Sequence, residues 1–121
     1  MIDHLGFEVA DLERSARFYD AVLGRLGIRR QFQSPGAVAW GDNAPVFWIV
    51  QRGRPPQPGY GHVALTAISR PAVDAAHQAG LDHGGTDGGA PGPRPNYGPR
   101  YYAAYLRDPD GLRVEIVTGS R

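Results

Sequence analysis

The chain has 121 residues and a formal net charge of +1; its 17 Gly and 11 Pro approach a low-complexity composition, but 41% hydrophobic and 10% aromatic residues supply the apolar surface that disordered chains lack. A single compact domain is expected, no apolar run reaches the roughly 20 residues of a membrane span, and the absence of Cys excludes disulfides, thiolate catalysis and Cys-ligated zinc. All 13 basic residues are Arg, scattered among 12 acids with only Arg29-Arg30 and Arg52/Arg54 closely spaced, so no nucleic-acid patch is expected.

Ile2 to Val9 alternates with the period of a half-buried strand. It starts so close to Met1 that no secretory leader is expected, and a cytoplasmic location follows. Asp11 reads as an N-cap, and Leu12, Ala16, Tyr19, Val22, Leu23 and Leu26 follow at steps of three and four, one face of a helix that ends near Gly24 and Gly27. Short strands are expected at Arg29–Gln33, Ala37–Gly41 and Pro45–Gln51. A Pro-rich linker, 52–61, then separates this module (1–51) from a second (62–121). His62–Ile68 is strand-like, and Ser69 caps a short helix with Pro71 in its first turn. A Gly/Pro-rich stretch from Gly84 to Arg100 reads as a loop. The strands Tyr101–Arg107 and Leu112–Thr118 flank Asp108-Pro109-Asp110-Gly111, a tetrapeptide with strong turn chemistry.

The two halves superimpose. An offset of 58 carries His4 onto His62, Phe7 onto Leu65, Asp11 onto Ser69 and Gly27 onto Gly85, and an offset of 67 carries Val46–Val50 onto Arg113–Val117. About nine extra residues therefore lie in the Gly/Pro-rich stretch. His4 and His62 begin equivalent strands, and Glu115 occupies an apolar strand where a carboxylate is costly unless paired or ligating a cation. If the modules pack about a pseudo-twofold, these three converge as a divalent-metal site with open coordination positions. In a hairpin closed by a three-residue loop, Pro109–Gly111, Tyr105 lies across from Glu115; a four-residue loop puts Ala104 there instead. The long loop carries Arg94, Asn96, Tyr97 and Arg100, and is expected to line or cover the site and offer Arg94 or Arg100 to an anionic group. His77 and His83 read as surface residues.

His4-Leu-Gly-Phe-Glu-Val-Ala-Asp11, Arg17-Phe-Tyr-Asp-Ala-Val-Leu-Gly24, Gly61-His-Val-Ala-Leu65 and Asp108-Pro-Asp-Gly-Leu-Arg-Val-Glu-Ile-Val117, in this order over nearly the whole chain, resemble the vicinal oxygen chelate superfamily. That group includes glyoxalases, extradiol dioxygenases, fosfomycin-modifying enzymes and bleomycin-resistance proteins. The resemblance implies an α+β fold: a single glyoxalase-like domain of two β-α-β-β-β modules in pseudo-twofold arrangement, forming a cup-shaped eight-stranded mixed sheet with flanking helices.

Carried over residue by residue, the family's metal ligands fall on His4, His62 and Glu115, around a divalent ion such as Fe, Mn, Ni or Zn. The fourth ligand of the glyoxalase I pattern falls on Trp48, which cannot ligate a cation and is expected to form an apolar pocket wall. Extradiol dioxygenases carry a Tyr ten residues before the ligand Glu, which favours Tyr105 as a catalytic partner of Glu115. The resemblance implies a metal-dependent lyase, isomerase or dioxygenase acting on a small molecule that chelates the ion through adjacent oxygens, in a homodimer. The alternative is a non-catalytic module similar to bleomycin-resistance proteins, binding an aromatic ligand against Trp48, Tyr105 and neighbouring rings.

Overall fold

The structure is a computed structural model describing residues 1–121. Its first module runs β1 (Leu5–Glu8), α1 (Leu12–Gly24), β2 (Arg29–Ser34), β3 (Ala37–Gly41) and β4 (Phe47–Val50). The second runs β5 (His62–Thr66), α2 (Arg70–Asp82), β6 (Thr86–Pro93), β7 (Tyr102–Arg107) and β8 (Arg113–Thr118). The eight strands divide into two four-stranded mixed sheets of identical order, β1-β4-β3-β2 and β5-β8-β7-β6. In each, the first strand lies parallel to the last. The caps fall where the sequence places them: the Asp11 side chain accepts from the Arg14 backbone N–H at 3.0 Å and Ser69 from that of Ala72 at 3.2 Å.

The repeat holds at the level of strand register. Gly6 pairs with Trp48 in the first sheet and Ala64 with Glu115 in the second, the partners that the two offsets require of one another. The helix ends are less regular. After α1 the left-handed residue is Gly27, φ +78°, whereas after α2 it is Gly84, φ +96°, one position before the repeat-equivalent Gly85.

Nearly half of the expected loop from Gly84 to Arg100 is a strand. β6 occupies Thr86–Pro93 at the edge of the second sheet, pairing only with β7 through two irregularities of register. Its composition, Thr-Asp-Gly-Gly-Ala-Pro-Gly-Pro, conceals it. An edge strand tolerates Pro because one side of it needs no donor, and bulges accommodate Gly. The connection proper is the shorter segment between Pro93 and Tyr102.

Packing explains where the functional faces lie. Helix α1 packs on β2, β3 and β4, α2 packs on β6, β7 and β8, and the helices pack on each other, so they form the layer that joins the sheets. One apolar core results, with Val38, Trp40, Phe47 and Ile49 from the first sheet and Ala104, Leu106, Val114 and Ile116 from the second. Gly80 permits the close approach: a Cβ there would lie 2.5 Å from Leu106 Cδ1 and 3.1 Å from Val22 Cγ2. The β7–β8 turn also clasps the first module. Tyr19 on α1 donates to the buried Asp108 carboxylate at 2.6 Å, and Asp110 accepts from the Ala10 N–H at 3.2 Å and from Arg14 at 3.0 Å. The alternate residues of every strand therefore face away from the helices, and β1 and β5, at the sheet edges, each keep one unpaired side.

Candidate functional site

On β8, Val114 and Ile116 point into the core, so Glu115 between them points out. It is nonetheless only 2% exposed, because neighbouring side chains cover it. Tyr105 on β7 lies directly across from it, with Arg107 across from Arg113, so the turn closes with the three-residue loop Pro109–Gly111. His62, at the start of β5, brings its Nε2 to 3.2 Å from Glu115 Oε1. The Tyr101 hydroxyl donates to Glu115 Oε2 at 2.5 Å. That bond to a carboxylate, helped by desolvation, pushes the Tyr101 hydroxyl up to about 12. Burial, seconded by the charge of Glu115, raises Tyr105 above the ordinary tyrosine range.

The surroundings are aromatic and basic. The Tyr105 ring lies against the β6 backbone at Gly88-Gly89, where a Cβ on Gly89 would be 3.0 Å from its Cδ2. Tyr97 stands edge-on to Tyr101, with ring centroids 5.3 Å apart. The Arg94 guanidinium lies 5.7 Å from the Tyr105 centroid and donates to the carbonyls of Ala90 and Pro93 at 2.7 and 3.2 Å. Arg100 is exposed and makes no ion pair or side-chain hydrogen bond with this group.

Two expectations meet a different placement. Within one chain His4 does not join His62 and Glu115. Its imidazole is exposed, with Nδ1 2.6 Å from Asp3 Oδ1, and no group of three His, Asp or Glu side chains is arranged to hold a metal ion. The reason is the helix layer, which sets the sheets apart and leaves β1 beside β4 only. Trp48 does occupy the position equivalent to Glu115, on the outward face of the first sheet, half-buried and 5.1 Å from the Phe32 ring. His77 is not a surface residue. It is 6% exposed and its Nε2 lies 2.9 Å from Asp87 Oδ1, a contact that ties α2 to β6. His83 is exposed, as expected.

Tyr101 is the participant that sequence reasoning missed. The signal was available: at a period of two, Tyr101, Ala103 and Tyr105 share one face with Glu115.

The donor set fits a divalent cation in chemistry. Glu115 is a buried carboxylate with an imidazole beside it and no Arg within ion-pair distance, and this is the environment in which a carboxylate needs a positive partner. A family model described as the glyoxalase/bleomycin resistance protein/dioxygenase superfamily matches residues 1–116. The chain belongs to that superfamily. A glyoxalase/bleomycin resistance protein from Albidiferax ferrireducens is similar in structure, with a TM-score of 0.83 at 37% identity, covering 95% of each chain. A glyoxalase-related enzyme from Fulvimarina pelagi shares the fold, with a TM-score of 0.78 at 22% identity over 97% of this chain and 86% of that one. Among curated proteins, YqjT of Bacillus subtilis, described as uncharacterized, is 29% identical over 97% of this chain and 98% of its own length. As a member of the superfamily this chain has the two-module fold, and none of its helices is long and apolar enough to cross a membrane.

Proposed function

We propose that this protein is a cytoplasmic, metal-dependent enzyme of the superfamily, a lyase, isomerase or dioxygenase whose small-molecule substrate binds a divalent ion through two adjacent oxygens. The observation that carries the proposal is Glu115: a carboxylate 2% exposed, on an outward sheet face, with His62 at 3.2 Å and no guanidinium to neutralise it. His62 and Glu115 of one copy would hold the ion together with His4 of a second copy. The unpaired edges of β1 and β5 favour this assembly, since an exposed strand edge is a ready pairing surface. A divalent ion in such a site supplies Lewis acidity, stabilising negative charge that develops on the substrate oxygens. Tyr101 holds Glu115 in place through its hydroxyl, and Tyr105, across the strand, offers a phenol positioned to give or take a proton at the substrate. The protein's contribution is thus orientation and a water-poor wall.

Elemental analysis of protein purified without chelators and then offered iron, manganese, nickel or zinc tests the reading. Wild type is expected to retain one ion per chain, and His4→Ala, His62→Ala and Glu115→Ala to retain none. A wild type that binds no divalent ion overturns it. Mixing His4→Ala with Glu115→Ala subunits addresses the shared site: mixed dimers regain one intact site only if His4 comes from the other copy.

The binding-module alternative has one observation in its favour, the partly exposed Trp48–Phe32 pair. Tight binding of an aromatic ligand by metal-free protein, unaffected by Glu115→Ala, would favour it over the enzyme.

A further inference from the structure

The register of the second sheet sets three basic side chains on one rung. His62 pairs with Arg113, and Arg113 pairs with Arg107. All three lie an even number of residues from a residue on the outward face, so they share that face with Glu115 and Tyr105 one rung away. Like charges directly across a ladder repel. Arg107 is diverted toward the turn, donating to the Gly111 carbonyl at 3.2 Å. Arg113 has no such outlet: it makes no ion pair or side-chain hydrogen bond, is exposed, and lies 6.0 Å from the Tyr105 ring centroid.

Arg94 approaches the same ring from the segment after β6. It is half-buried and forms no ion pair, and the Ala90 and Pro93 carbonyls hold its guanidinium while leaving further N–H donors unfilled. Neither cation has an acid to answer it. Of the two acids on the strands of this sheet, Asp87 turns to His77, and Glu115 is taken by His62 and Tyr101. Two guanidiniums around one tyrosine ring, one of them anchored in advance, make a site suited to an anion. A planar N–H fork held in place binds an oxyanion at low ordering cost.

We propose that Arg94 and Arg113 form an oxyanion-binding subsite beside Glu115, so that the substrate is an anionic small molecule carrying a carboxylate or phosphate-type group in addition to the oxygens that meet the metal. The placement of the chelating oxygens rests on the metal-site reading; the anion subsite rests on the arginines alone. Arg113, two residues before Glu115 on the same strand face, couples the anion's position to that of the reacting centre.

The test uses full-length metal-free protein with labelled tyrosines at low ionic strength, titrated with inorganic phosphate and, separately, with benzoate. The Tyr105 signals, assigned through Tyr105→Phe, are expected to shift saturably with both. R94M and R113M should each weaken phosphate binding about tenfold, R113K should recover part of the loss, and the distant R29M should leave it unchanged. Equal affinity in wild type, R94M and R113M, or the same loss in R29M, overturns the subsite. Manganese binding, read by electron paramagnetic resonance, separates the two readings. Manganese retained in R94M and R113M but lost in E115Q, with no arginine-dependent anion binding, removes only the subsite. Arginine-dependent anion binding in a protein that never takes manganese removes only the metal site.

Discussion

The two modules are alike on their inner faces and unlike on their outer ones. Across the first sheet one outward rung reads Gly6, Trp48, Ala39, Phe32; the equivalent rung of the second reads Ala64, Glu115, Tyr105, Gly89. The first places two aromatic rings 5.1 Å apart in partial contact with water. The second buries a carboxylate under tyrosines and a histidine. Toward the helices both sheets present the same kind of surface, Val, Ile, Leu and aromatic side chains locked into one core. The repeat is thus preserved on the face that stabilises the fold and lost on the outward face.

The largest expected effect tests the shared inner face. Leu106 is fully buried against Gly80 of α2, and Leu106→Ala should cost about 3 kcal/mol in urea unfolding, within the usual range for such a truncation. Loss well under 1 kcal/mol would mean that the helix layer does not lock the second sheet in place.

A smaller effect, opposite in sign between the two sheets, tests the outer faces. Trp48→Ala removes partly buried aromatic area and should destabilise by about 1–2 kcal/mol. Glu115→Leu, at the equivalent position, combined with Tyr101→Phe removes the buried carboxylate together with its hydroxyl partner and should leave metal-free protein as stable as wild type or more stable by roughly 1 kcal/mol, while abolishing metal binding. If the double variant instead unfolds the metal-free protein, Glu115 serves the fold and not a site.

Much of this asymmetry is legible in the amino-acid sequence, because strand register obeys simple arithmetic. Offsets that align His4 with His62 and Trp48 with Glu115 survive in the parallel pairings; turn chemistry at Asp108–Gly111 leaves Tyr105 or Ala104 opposite Glu115, and the observed three-residue closure makes it Tyr105. What escapes has physical causes. β6 is hidden because an edge strand can be built from Gly and Pro, residues that propensity assigns to loops. His77 looks like a polar helix residue until its partner Asp87, on that hidden strand, is known. The separation of His4 from His62 lies beyond any periodicity: alternation says which residues share a face, but whether two sheets meet edge to edge or across their helices depends on packing such as that of Gly80 against Leu106 and Val22.

The smallest expected effect sharpens the comparison through pH, since an exposed carboxylate of the first module and a buried one of the second shift in opposite directions. Asp20 on α1 is subject to desolvation, which raises its pKa, but hydrogen bonds from Arg30 and Trp40 outweigh that and hold it below the usual range. Asp108, in the turn of the second module, is raised by burial even though Tyr19 and the backbone N–H groups of Leu112 and Asp110 pull it down. A depressed folded-state pKa contributes stability that is present above the unfolded value and lost as pH falls through the folded one; a raised pKa does the reverse, with stability lost as pH rises through the window above 3.8. Unfolding measured between about pH 3 and 7 should therefore show the advantage of wild type over Asp20→Asn shrinking at the acid end. Over the same range wild type should gain on Asp108→Asn as pH falls. If both differences move in the same direction, the clasp between Tyr19 and Asp108 is not the buried, charge-penalised contact that its geometry indicates, and the turn is held by its backbone hydrogen bonds instead.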